Sequence, residues 1–155
     1  MNKTILSLLL ACSFILPLCA AEVPADEDLK ELSLDTLLAF NDGVQKGDFT
    51  DFHATMAKMA QEQISVEKLK TSFQEFVAKK IDFSKIEDLE PTLETKTIDK
   101  DGILTVAGSY PTTPVIVQFR LRYLQEDGEW KLFGINVDTK QDSPATPDAQ
   151  KKETP

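Results

Sequence analysis

Through the first half of the chain apolar residues recur at helical spacing, and through the second they alternate with polar ones. Leu34, Leu37, Leu38 and Val44 lie on one side of a helix that Lys46-Gly47-Asp48 ends. Phe49, Phe52, Met56 and Met59 keep the same spacing and predict a second helix up to about Gln63. A third follows, with Ser65 as N-cap and Ile64 and Leu69 placed as a hydrophobic staple. Its stripe is Val66, Leu69, Phe73, Phe76 and Val77, and Lys79 and Lys80 end it with charges that suit the helix dipole. Ile81 to Pro91 reads as the connection from helix to sheet.

The alternating half predicts four strands, Thr92–Ile98, Ile103–Tyr110, Val115–Gln125 and Trp130–Asp138. They are separated by Asp-Lys-Asp-Gly, Pro-Thr-Thr-Pro and Glu-Asp-Gly. A four-residue loop at the two prolines pairs Tyr110 with Val115, Gly108 with Val117, Val106 with Phe119 and Leu104 with Leu121. A three-residue loop with Gly128 in the left-handed position pairs Leu121 with Phe133, Phe119 with Ile135 and Val117 with Val137. Both choices gather the apolar residues on one face. A two-residue turn at Asp127-Gly128 would set Leu121 against Gly134 and Phe119 against Asn136, so the longer loop is expected. The fold class is therefore α+β, with N-terminal helices packed on a curved antiparallel sheet.

The ends differ from this body. Lys3 precedes an apolar run from Ile5 to Leu18, and Cys19-Ala20-Ala21 supplies small residues for cleavage, so residues 1–21 read as an export signal. The run is too short for a membrane span. Residues 22–33 read as a flexible acidic lead-in, 34–139 as the folded domain and 140–155, with three prolines and no large apolar residue after Gln141, as a disordered tail. Both cysteines, Cys12 and Cys19, fall inside the signal, so an exported mature chain has no disulfide to stiffen it. A lipoprotein acylated at one of them is the rival reading; the apolar run continues past Cys12, and Leu18 is too bulky before Cys19. The expected location is periplasmic or secreted. A net charge of −9 argues against nucleic acid or an anionic membrane as partner.

The order of elements resembles the nuclear transport factor 2-like, or cystatin-like, superfamily. The residues that carry the resemblance are "LLAFNDGVQKGDFTDFHATM", similar to that family's helix–Gly-Asp–helix entry, together with "GILTVAGSYP" and "VIVQFRLRYLQEDGEWKLFGINV" in the sheet half. The resemblance covers Leu34 to about Val137 and implies a cone formed by the curved sheet and the helices. It says little about activity, because the superfamily includes isomerases, dehydratases, transport adaptors and small exported proteins.

Three groups of residues are candidates for chemistry. His53, the only histidine, stands near Asp48 and Asp51, but residues two apart on a helix point in different directions. It reads first as a locally bonded residue at a helix join, with a catalytic dyad or a contact at the cone mouth as alternatives. Inside the cone, Tyr110, Phe119 and Tyr123, with His53 at the rim, are the candidate ligand contacts. The catalytic members of the superfamily place an Asp base among Tyr or Asp donors there, whereas the strands of this chain bring no carboxylate to the apolar face, so no enzyme and no cofactor is expected. On the other face, Gln118, Arg120, Arg122 and Trp130 have the composition of a protein contact. A homodimer or another protein is thus the expected partner, with an apolar small molecule in the cone as the alternative. Asp99-Lys100-Asp101-Gly102 is acidic enough to suggest calcium, but lacks the rest of a binding loop and reads as a hairpin turn.

Overall fold

The computed structural model describes residues 22–141. The expected export signal and all but the first two residues of the expected tail lie outside them. Five helices, a short 3-10 turn and four strands follow one another, and the strands form one curved, unclosed antiparallel sheet in the order β1-β2-β3-β4. The architecture is α+β. Among the described residues no helix is long and apolar enough to cross a membrane.

Helix α1 runs from Asp26 to Lys46, so most of the stretch read as a loose lead-in is helix. Asp26, Glu27 and Asp28 occupy its first turn, where negative charge favours the helix dipole, and Leu29 behind them is fully buried. The core stripe is Leu29, Ser33, Leu37, Phe40 and Val44. Gly47 ends the helix in the left-handed conformation at φ 66°, and Asp48 N–H reaches back to the Gly43 carbonyl at 3.1 Å, a Schellman-type stop. Gly43 is required one turn earlier, since a Cβ there would lie 2.7 Å from the Phe49 ring.

The second predicted helix is two, α2 (Thr50–Ala54) and α3 (Lys58–Gln63). Between them the chain straightens, Met56 bridges in parallel to Leu132, and Ala57 N–H donates to the Leu132 carbonyl at 2.8 Å. Met59, expected in the core, is consequently 49% exposed. The third predicted helix is also divided, at Phe73, into α4 (Val66–Ser72) and α5 (Gln74–Ala78), with Ser65 capping α4 as expected. These short pieces converge on Phe40. Its ring lies 5.9 Å from Phe49, 5.7 Å from Phe52, 4.7 Å from Phe73, 6.1 Å from Phe76 and 6.0 Å from Phe83, so one aromatic side chain of α1 touches every helical segment around it except α3.

Strands β1 (Thr92–Ile98), β2 (Leu104–Tyr110), β3 (Val115–Glu126) and β4 (Glu129–Gln141) match the predicted ones to within a few residues. Between β2 and β3 the register is two residues away from expectation: Tyr110 pairs with Val117, Gly108 with Phe119, Val106 with Leu121 and Leu104 with Tyr123. A shift of two keeps every side chain on its expected face.

The β3–β4 hairpin corrects the expectation more deeply. Glu126 pairs with Glu129 across a two-residue turn in which Asp127 and Gly128 both have positive φ, 52° and 85°, the primed geometry that Asp-Gly favours. The mismatch this turn would cause is removed by a β-bulge at Phe133, opposite the Arg122/Tyr123 step. Before the bulge Leu132 pairs with Tyr123; after it Ile135 pairs with Leu121 and Val137 with Phe119. Leu132 therefore takes the core position expected of Phe133, and β4 returns to the apolar face with one residue absorbed.

At Gly108 the start of β1 crosses so closely that a Cβ would collide with the backbone carbonyl of Thr92. At Gly134 a Cβ would make only ordinary contact with Arg122, at 3.9 Å. Gly108→Ala should therefore lower stability by about 2–3 kcal/mol through loss of the β1–β2 pairing, while Gly134→Ala should stay within about 1 kcal/mol of wild type. Urea unfolding of the two variants checks the contrast.

Candidate functional site

The segment Gln45–Met56 folds as a join between α1 and α2. Asp48 Oδ1 accepts from Thr50 N–H at 2.9 Å and from the Thr50 hydroxyl at 2.7 Å, and these bonds hold its carboxyl below the ordinary carboxylate range. Asp51 is exposed, with Lys46 Nζ at 3.9 Å. His53 turns to neither. Its Nε2 lies 2.7 Å from the Ile64 carbonyl oxygen, which can only accept, so Nε2 donates and ties the end of α3 back to α2. Within the described residues the His53–carboxylate dyad does not form.

Tyr110, Phe119 and Tyr123 all lie on the helix-facing side of the sheet and are buried. The Tyr110 and Phe119 rings are 5.7 Å apart. The Tyr123 hydroxyl meets Thr36 Oγ1 on α1 at 2.9 Å and reaches the Leu32 carbonyl at 3.3 Å. Ser33 faces the same phenol, yet its own buried hydroxyl makes no hydrogen bond among the described residues. Burial raises both phenols: Tyr110, with Glu90 adding to the effect, is pushed up to about 12, and Tyr123 goes higher although its hydroxyl bonds work the other way. Both are neutral phenols at physiological pH, able to donate a hydrogen bond and unfit to abstract a proton. Around this part of the cone the protein's own side chains fill the space, with Leu104, Leu121 and Leu132 between helices and sheet.

Sequence reasoning missed what gathers at Tyr110. Because α1 begins early, Glu27, Lys30 and Glu31 stand beside Glu87 and Glu90 around a cleft that Tyr110 lines. The missed signal was the spacing Leu29–Ser33–Leu37, which continues the helix stripe backwards through a serine. No three or more His, Cys, Asp or Glu side chains among the described residues are arranged to hold a metal ion.

On the opposite face Arg120 and Arg122 are exposed, Gln118 is half-buried, and the guanidinium of Arg122 lies 5.3 Å from the centre of the Phe133 ring. No carboxylate among the described residues is within salt-bridge distance of either arginine. Trp130 is not beside them. The two-residue turn pairs it with Gln125, on the same side as Tyr123, where it lines a cleft with Leu32, Thr36 and Leu132. The aromatic ring of the outer face is thus Phe133, brought there by the bulge.

His53→Ala should cost about 1–3 kcal/mol, the penalty of leaving the Ile64 carbonyl without its donor, and hydrogen exchange should rise first in α3. Asp48 should make the fold acid-sensitive. With its carboxyl lowered on folding, its contribution is complete above the unfolded-state value near 4 and is lost as pH falls through the lower folded value. Asp48→Asn keeps an acceptor but cannot titrate, so its urea midpoint should fall less steeply with acid than that of wild type.

The helices packed on a four-stranded antiparallel sheet are compatible with a nuclear transport factor 2-like fold. In comparisons with known proteins, no family model and no curated sequence matches the chain.

Proposed function

We propose that this chain is an exported, non-enzymatic binding module of the nuclear transport factor 2-like superfamily that self-associates through the outer face of its sheet. The observation that carries this reading is the pair of arginines, the only two in a chain of net charge −9, exposed side by side on a sheet face with no carboxylate partner among the described residues. Asn136 and Asp138 on β4 flank them, so the face carries both signs and can complement a second copy of itself. The Arg122–Phe133 stack offers a flat, partly desolvated centre for such a contact. The absence of enzymatic activity is argued from the inner face, where two neutral phenols are the only ionisable groups among the buried strand residues.

Sedimentation equilibrium tests it. Wild type should dimerise reversibly, and Arg120→Glu with Arg122→Glu should weaken the dimer by at least about tenfold, while Lys68→Glu, a reversal on α4, should leave it unchanged. A wild-type monomer at every concentration, or an unaltered double variant, would sink the reading. A monomer that retains an apolar adduct in native mass spectrometry would replace it with a carrier.

A further inference from the structure

The first turns of α1 lie against the chain that leads into the sheet, fastened by two ion pairs: Lys96 Nζ to Asp26 at 2.6 Å, and Lys30 Nζ to Glu90 at 2.7 Å. Between α1 and the Glu87–Pro91 segment is a cleft of about 340 Å³. Its rim carries Glu27, Asp28, Glu31, Glu87 and Glu90, and the single cation there, Lys30, is already engaged by Glu90. Leu34, Leu89 and Pro91 give it apolar walls.

Tyr110 lines the same cleft from the sheet. Its side chain is fully buried, yet its hydroxyl takes part in no hydrogen bond among the described residues, in contrast to Tyr123 with two. A buried phenol normally finds a partner. Here the hydroxyl is left for whatever occupies the cleft.

We propose that this cleft binds a linear organic dication, two ammonium groups joined by a short alkyl chain, with the carboxylates of Glu31 and Glu87 on the ammonium ends and the Tyr110 hydroxyl oxygen accepting from one of them. The sign follows from charge. Five carboxylates against one paired ammonium outweigh the roughly half-unit positive charge of a helix N-terminus, so an anion is excluded. The organic character follows from the arrangement of the acids, which are spread along a rim and nowhere converge as a metal ion requires. The alkyl spacer follows from the Leu34, Leu89 and Pro91 walls, which would be idle against a hydrated inorganic cation.

The test uses the full chain and 1,4-diaminobutane, titrated by calorimetry at near-physiological salt and followed by NMR. Saturable binding at one site per chain is expected, with shifts concentrated at Leu34, Leu89 and Tyr110. Tyr110→Phe should weaken it about tenfold through loss of a hydrogen bond to a charged group. Glu31→Gln combined with Glu87→Gln, both at exposed positions, should weaken it at least as much and serves if the tyrosine variant fails to fold. Glu62→Gln on α3 should change nothing, and 1,4-butanediol, equal in length but uncharged, should not bind. Non-saturable uptake, equal loss in Glu62→Gln, or affinity unchanged in the cleft variants would each overturn the proposal and reduce the effect to diffuse counter-ion attraction.

Discussion

The β-bulge at Phe133 is the constraint on which most of this fold depends. Asp127-Gly128 dictates a two-residue turn, and a two-residue turn in a regular ladder would point Gly134 and Asn136 into the core. Absorbing one residue lets turn chemistry and burial both be satisfied. Much of the surrounding structure is consistent with that choice. Leu132 enters the core, its carbonyl accepts from Ala57, the helix expected from Phe49 to Gln63 breaks to make that bond, and Phe133 moves under Arg122. A backbone hydrogen bond in a buried setting and a full Leu side chain together outweigh the few helical bonds given up at Thr55–Ala57.

A second organising element is Phe40. Short helices of five to seven residues are not stable alone, and α2 to α5 are all of that length. Their persistence comes from packing, and the phenylalanines from α2, α5 and the flanking turns that meet Phe40 supply much of it. On the sheet side α1 is positioned differently, by the Thr36–Tyr123–Leu32 hydrogen bonds. Hydroxyls inside the cone thus serve to locate the helix, which agrees with their high-lying, unreactive phenols.

Strand periodicity was legible because each residue's face is set by parity, and even a two-residue error in the β2–β3 register left every face correct. The Gly47-Asp48 stop and the Ser65 cap were legible because capping is local chemistry. Three things were not. A bulge changes parity without any signature beyond Phe-Gly, so Trp130 was assigned to the wrong face. Ser33 interrupts the apolar stripe of α1, which hid the helix's first two turns and with them the acidic cleft at Tyr110. The bridge from Met56 to Leu132 is a contact between distant parts of the chain, which no helical spacing reveals. His53 was read as part of a join, and its bond to the Ile64 carbonyl fits that description.

The contacts of α1 also impose an order on folding. Asp26 is held by Lys96, Lys30 by Glu90, and Thr36 by Tyr123, partners 60 to 87 residues further along the chain. The first helix to be synthesised is therefore among the last elements to find its place. Until the final hairpin exists, its apolar stripe has no sheet to meet, and loop-closure entropy opposes any earlier docking. Such a chain stays unfolded for most of its own synthesis, a state that a transport channel for extended polypeptides can accept.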